Sequence, residues 1–545
     1  MELLILVAIV LVAIIIVTIP SKIKYKKKLK ARLIAMIGKP PEEMSTEFDS
    51  IKRYAQYFPA NDLRIDSITW NDLDMDRVFQ RINICLSSVG EEYLYNALHQ
   101  PQFELDNLLK REELVQFFDR HPEERLQVQL ALVKLGKQHY NGLPHLIFGA
   151  DIKLLPRPGL YKFLSVLPLI AAAVFIFSIP AGVVSVLLSF VINLIVHYRT
   201  IRRVNIELPA IGYFTLVMKC CKRLLNIKSL PINQDIKGPY DVFKKVTSKA
   251  PVQKSTHWSG DMVKDMAEGM WLYFSILFLY DIRHYNNFMK AIISNNNEFH
   301  AIYKAIGEVD MALSVLSFRK SLPAFTLPEF HEYNALDFKD IFYPLIPKPI
   351  TNTCRIDNGS LITGSNASGK STFIKTLAIN GILAQTIYTC TAAKFATRFS
   401  MIVTSMALQD NLQNNESYFV VEIKSLKRIL DMVKRHSCIC YIDEILRGTN
   451  TVERIAASAS VLEYLHKQDC LCIAASHDIE LTRILADKYD NYNFCEQVTD
   501  DGITFDYKLK QGPSTTRNAI KLLDVMGFEK EILKQAEMLA VEYSK

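Results

Sequence analysis

The stretch "LITGSNASGKSTFIKTLA", Leu361–Ala378, decides the fold of the C-terminal part of this 545-residue chain. Gly364, Gly369, Lys370 and Ser371 satisfy the spacing GxxxxGK[ST], between the apolar run "SLIT" and the helical pattern "TFIKTLAINGILAQ". A strand before and a helix after are the context that a phosphate-binding P-loop requires. The glycines permit backbone conformations that aim several N–H groups at one anion, and the helix N-terminus adds its partial positive charge. Lys370 would then reach the β- and γ-phosphates and Ser371 would ligate Mg²⁺, so ATP and Mg²⁺ are the expected cofactors.

A magnesium-holding acid should follow at the end of a second buried strand. The run "CICYIDE" supplies Asp443 at the end of an apolar run, with Glu444 next to it. Asp443 fits the metal role. Glu444 fits the role of polarising the attacking water, because phosphoryl transfer needs a carboxylate near the in-line nucleophile. A third run, "LCIAAS", ends at His477, from where an imidazole could sense the γ-phosphate.

From about residue 340 onward such short β-branched runs alternate with helical patterns, which predicts an α/β domain with a largely parallel sheet. Upstream, residues 65–160 and 200–330 carry stretches such as "NLLKREELVQFFDRH", in which apolar positions recur at three and four and predict amphipathic helices. Ten cysteines form no CxxC pair and no Cys/His cluster at zinc spacing. Those in "CICYIDE" and "LCIAAS" read as small buried strand residues of a reducing compartment.

The net charge of +7 is unevenly spread. Residues 22–32, "KIKYKKKLKAR", supply +7 with no acid, and residues 199–254 supply a further +9, which leaves −9 for the remainder. Both basic blocks follow apolar runs and so match anionic headgroups on the cytoplasmic side of a membrane, with nucleic-acid contact as the rival for the second. Leu3–Ile19 is apolar for about the length needed to cross a bilayer. Its basic flank follows rather than precedes it, which predicts an uncleaved anchor rather than a signal peptide. Phe163–Ile179 and Gly182–Tyr198, separated by Pro180 and Ala181 and bracketed by Lys162 and Arg199, predict a helical hairpin with both ends in the cytoplasm. The competing reading is a buried helix pair in a soluble core. The expected localisation is therefore a membrane protein with three spans and a cytoplasmic ATPase domain.

The order and spacing of the C-terminal motifs resemble the MutS family of ATPases, relatives of the ABC ATPases. "GSNASGKST" is similar to that family's GPNMGGKST and keeps Asn366. "IVTSMALQDNLQNNESYFVVEI" resembles its stretch ending in STFMVEM, with Asp410, Ser417, Phe419 and Glu422 retained. "YIDEILRGTNT" is similar to MDEIGRGTST, "AASHDIEL" to ATHYFEL, and "GPSTTRNAIKLLDVMGFEKEILKQAEML" to the family's closing segment, which assists dimer formation. A weaker resemblance covers "DLDMDRVFQRINICLSSVGEEYLYNALHQP", "LLKREELVQFF" and "IGEVDMALSVLSF", which look like the family's helical core and lever.

The resemblance implies a homodimer with two composite sites. In each, Ser417 of one subunit would approach the γ-phosphate held by Asn366, Ser368, Gly369, Lys370, Ser371 and Thr372 of the other. It supports His477 as a catalytic residue beside Lys370 and Glu444, and sets Tyr507 near the adenine, where a phenol can stack. Tyr343 stands where the family usually has His before Pro and receives no role.

The expected fold is thus multi-domain, an α-helical core and lever region with transmembrane helices plus a C-terminal α/β P-loop ATPase domain of ABC type. Its divisions are an N-terminal anchor (1–20), a basic linker (21–64), helical core (65–160), membrane hairpin (161–199), second helical part (200–335) and the ATPase with its helical closing segment (336–545). Residues 20–64 are too short an interval for the family's separate mismatch-reading domain, with its Phe-x-Glu wedge. The leading expectation is a membrane-anchored ATPase whose nucleotide state moves its helical region. The alternative is ATP-dependent binding of mismatched or branched DNA. No transport substrate is expected, since three spans are few and an LSGGQ-type signature is missing from the region of "NNESYFVVE".

Overall fold

The computed structural model describes residues 20, 23–41, 47–57, 63–148, 154–204, 207–247, 262–365, 368–406, 418–446, 449–499, 502–514, 523 and 527–542. The chain is helix-rich, with its strands after residue 328, and it forms two compact units. The first unit takes the described part of the first 59 residues, Asn83–Asn96 and Glu113–Ser317. The second takes the described part of 60–82, Ala97–Glu112 and the chain from Phe318 onward.

Two motif segments meet in the helical first unit. Helix Ser88–Leu98 begins with backbone donors that need partners, and the buried carboxylate of Asp310, on helix Asn296–Lys320, supplies acceptors just ahead of it. Leu86 N donates to Asp310 Oδ1 (3.0 Å), and Ser87 N (2.9 Å) and Ser87 Oγ (2.6 Å) donate to Oδ2. The approach is so close that a Cβ on Gly90 would fall 2.2 Å from Asp310 Oδ2, which explains glycine in "SSVGEE".

One turn further on, Glu92 is buried and accepts from Asn141 Nδ2 (3.3 Å) and from the Tyr303 hydroxyl. Burial pushes its carboxyl up to about 8. A raised folded pKa means that the unfolded chain releases this proton first. Stability is therefore full below the ordinary carboxylate range and falls as pH rises through it towards 8, by about 1.4 kcal/mol per pH unit at most. Thermal melts of Glu92→Gln are expected to lose much of the wild-type decline between pH 5 and 8. An unchanged slope would show that Glu92 does not carry it.

Among the described residues of this unit, two helices are long and apolar enough to cross a membrane: Pro158–Ile176 and Ile179–Ile201. The third expected span, Leu3–Ile19, lies outside the described residues. The hairpin break falls at Phe177 and Ser178, three residues earlier than the sequence suggests, and Pro180 sits in the first turn of the second helix. Proline is favoured there because that turn has no acceptor for its missing N–H. Only 28% and 17% of the two apolar windows are buried, against what a soluble core would require.

The second unit carries β1 (Glu329–Phe330), β2 (Leu336–Ile341), β3 (Asn352–Ile356), β4 (Gly359–Gly364), β5 (Lys394–Thr397) and β6 (Met401–Ser405). These are followed by β7 (Cys438–Asp443), β8 (Cys470–Ser476), β9 (Tyr489–Phe494), β10 (Glu496–Thr499), β11 (Gly502–Phe505) and β12 (Lys510–Gln511). A six-stranded sheet runs β12-β9-β4-β8-β7-β6, parallel except at β12, beside a four-stranded sheet β1-β5-β2-β3 and the hairpin β10-β11. β4, β7 and β8 are almost wholly buried, as continuous apolar runs in a covered parallel sheet should be. The alternating cysteines of β7 and β8 lie in the core, as their sequence pattern predicts.

Contacts from upstream segments fix this unit. Asp72, ending helix Ser67–Asp72, accepts from Thr404 Oγ1 (2.6 Å) and Met406 N (3.1 Å) and so covers the edge strand β6. Arg319 pairs with buried Glu112 (2.6 Å) and donates to Tyr388 O (3.0 Å), while Arg111 donates to Thr386 O. Helix Lys370–Ile387 thus has its C-terminal carbonyls met by two guanidinium groups, where cations oppose the helix dipole. Its N-terminus is left facing the cavity described next.

Candidate functional site

The parallel register brings three chain segments to one edge. Thr363 pairs with Ser476 and Asp443 with Ala475, so β4, β8 and β7 end side by side. Ligands of such sheets bind beyond the carboxyl ends of the strands. There the loop after β4 opens into a cavity of about 580 Å³, walled by Ser365, Ser368, Lys370, Ser371, Glu444 and Tyr507 among others.

The loop is shaped by two glycines in backbone conformations unavailable to other residues. Gly364 has φ +147°, and a Cβ there would fall 2.4 Å from Phe494 O; Gly369, capping the helix, has φ +103°, and its Cβ would meet the Tyr507 ring at 3.0 Å. Lys370 is buried and donates from Nζ to Gly364 O and Ser365 O, both at 2.7 Å, holding its ammonium inside the loop's curve. Ser371 and Thr372 follow in the first turn and line the cavity.

Glu444 follows the last residue of β7 with φ +61° and is anchored by its N–H to Ala475 O (3.0 Å). This left-handed turn sends the side chain into the cavity, a cost in strain of the kind that collects at functional sites. His477 Nε2 lies 2.8 Å from Glu444 Oε1, so two residues read separately from the sequence form one pair. Behind them, Arg454 donates to both oxygens of Asp478 (2.9 and 2.5 Å), fixing the loop after β8. Asp443 is buried, and its Oδ1 has no hydrogen-bond partner among the described residues; neither has Ser368 Oγ. A buried carboxylate oxygen left without a donor is what a cation site requires. Together with the Ser371 hydroxyl and the Lys370 ammonium, this set could hold a polyphosphate and a hydrated Mg²⁺.

The far wall was only partly legible. Tyr507 (φ +51°) is there, its carbonyl accepting from Asn352 Nδ2 (3.1 Å). Tyr343, Ile346 and Ile350 of the segment between β2 and β3, and Asn352 at the start of β3, line the same cavity and carried no role in the sequence reading. Burial raises the Tyr343 phenol's pKa, with Asp74 adding to it. The signal in retrospect is the Tyr343-Pro344 position before an apolar, proline-rich run. Asn366 and Ser417, and Asp410 with them, lie outside the described residues. Phe419 and Glu422 begin helix Tyr418–Val433.

Residues 360–543 match the family model for MutS domain V. This part of the chain is that of a MutS-family protein. It is 31% identical over 266 residues to MutS protein homolog 4 of Homo sapiens, a match covering 45% of this chain and 28% of that protein. It is 27% identical over 266 residues to the DNA mismatch repair protein MutS of Desulforapulum autotrophicum, covering 46% and 30% respectively. The corresponding protein of Finegoldia magna is 27% identical over 284 residues, with 49% of this chain and 33% of that one covered. The chain therefore spans about a third or less of the length of these relatives.

Proposed function

We propose that this MutS-family chain is a membrane-anchored ATPase that binds and hydrolyses ATP in composite sites of a homodimer and couples nucleotide state to movement of its helical region. The observation that carries the reading is a cavity into which Lys370, Ser371 and Glu444 all project, with the oxygen of Asp443, next in sequence to Glu444, unpartnered among the described residues. The loop from Gly364 through Asn366 and Ser368 to Thr372 binds the phosphates. Lys370 exchanges two loop carbonyls for phosphate oxygens, and Ser371 and Asp443 hold the metal. Bound Mg²⁺ would supply charge neutralisation on the phosphates.

Glu444 accepts a proton from the attacking water, and His477, already paired with it, orients that carboxylate and faces the terminal phosphate. Tyr507 stacks on the base, with Tyr343 and Ile346 closing the apolar side. Ser417 is contributed by the partner subunit, so a lone subunit turns over slowly. The domain divisions read from the sequence are kept as part of this proposal. The anchoring is supported by the inverted polarity of helix Ile179–Ile201. Its buried face is Gly182, Ser189, Asn193, His197 and Thr200, while Val184, Leu187 and Leu188 are exposed. A water-soluble helix buries the opposite set.

A second reading is favoured by the names of the relatives, DNA mismatch repair protein MutS among them. Here the chain binds mismatched or branched DNA, with the basic 199–254 segment on phosphates. ATPase assays on the detergent-solubilised protein, with and without Mg²⁺ and a panel of duplex, mismatched and branched DNAs, separate the two. Mg²⁺-dependent turnover indifferent to DNA supports the first. Stimulation by one DNA structure, with binding that weakens steeply as salt rises, supports the second. Absence of any nucleotide turnover would remove both.

A further inference from the structure

The hairpin does not stand alone. Asn193, fully buried on helix Ile179–Ile201, spends its amide hydrogens on two backbone carbonyls of other helices: Leu164 O at 3.0 Å and Leu277 O at 2.6 Å. Each acceptor is one that its own helix leaves unmet. Pro168, inside helix Pro158–Ala173, has no N–H to give to the carbonyl four residues back, which is Leu164. Leu277 lies in the last turn of helix Met262–Phe278, where carbonyls have no intrahelical donor. In a hydrocarbon layer such carbonyls must be satisfied by protein.

Helix Met262–Phe278 likewise exposes large apolar side chains. Its stretch Gly269–Phe278, "GMWLYFSILF", carries no charge. Met270, Tyr273 and Phe274 point outward, 69%, 65% and 43% exposed, while Ser275 is buried and donates to Asp281 Oδ2 (2.6 Å). Ten residues of helix rise about 15 Å, half of a hydrocarbon core, a length suited to entering one leaflet rather than spanning.

Resting on the membrane reading above, we propose that Gly269–Phe278 is a further bilayer-embedded helix, its Met270, Tyr273 and Phe274 face in contact with lipid acyl chains, clamped to the hairpin by Asn193. Among the described residues, three helices of the membrane region then meet at one carboxamide.

The test uses the full chain in vesicles of phosphatidylcholine and phosphatidylglycerol, with the photoreactive residue p-benzoylphenylalanine placed singly at Tyr273, at Phe177 of the hairpin tip or at the exposed Tyr333 of the second unit. Lipid adducts are read by mass spectrometry after irradiation. Adducts at Tyr273 and Phe177 but not at Tyr333 are expected. An adduct at Phe177 without one at Tyr273 overturns this proposal and leaves the anchored hairpin standing, whereas adducts at neither position overturn the membrane reading itself. In an Asn193→Leu background the Tyr273 adduct should fall severalfold while that at Phe177 persists. Retention of both at full yield would remove Asn193 as the clamp.

Discussion

Lys370→Ala is expected to abolish measurable ATP turnover and to weaken nucleotide binding strongly. The ammonium is buried and held by two loop carbonyls at 2.7 Å, so it is already positioned where a polyphosphate would enter, and its side chain is not needed to build the strands around it. Loss of one preorganised charged donor at a phosphoryl-transfer site costs on the order of 10²–10³ in rate. The fold should survive, because the vacated carbonyls of Gly364 and Ser365 border an open cavity where water can replace the ammonium. Titration with a fluorescent ATP analogue, steady-state hydrolysis and a thermal melt check all three parts. Hydrolysis at the wild-type rate in a normally folded variant would take the loop out of the site.

Much of this site was legible because its chemistry is local in sequence. The strand, loop and helix from Leu361 to Ala378 announce themselves by glycine spacing, and β7 ends in Asp443 and β8 is followed by His477 just where apolar runs stop. A parallel sheet then brings those ends together without further information, as the pairings of Thr363 with Ser476 and Asp443 with Ala475 show. Features that depend on distant segments could not be read this way. Arg111 and Arg319 reach the C-terminal carbonyls around helix Lys370–Ile387 from far upstream, and nothing in either local sequence marks them as caps. The same holds for Asp72 on the β6 edge.

The membrane question shows a different limit. Hydropathy finds the hairpin but averages over the helix circumference. Only the structure reveals that Asn193 and His197 face inward and the leucines outward. The short uncharged run Gly269–Phe278 falls below the length at which composition suggests a span. Its contact with Asn193 is what associates it with the other two helices.

Glu444→Gln is expected to keep ATP binding and lose hydrolysis by about 10²–10⁴-fold, the usual contribution of a general base. The substitution preserves size and a hydrogen-bonding oxygen, so the pairing with His477 and the left-handed turn at this position have no steric reason to change. What disappears is the capacity to take a proton from water. If ATP favours the closed dimer and hydrolysis releases it, blocking the chemical step shifts the population towards the dimer for as long as ATP is present. Light scattering of the detergent-solubilised variant should then show a nucleotide-dependent doubling in protein mass, while the wild type does so only transiently. The two readouts separate two claims. A fully active variant would strip Glu444 of its role. A variant that binds ATP, fails to hydrolyse it and stays monomeric would spare Glu444 but refute the composite site with Ser417 of a partner subunit.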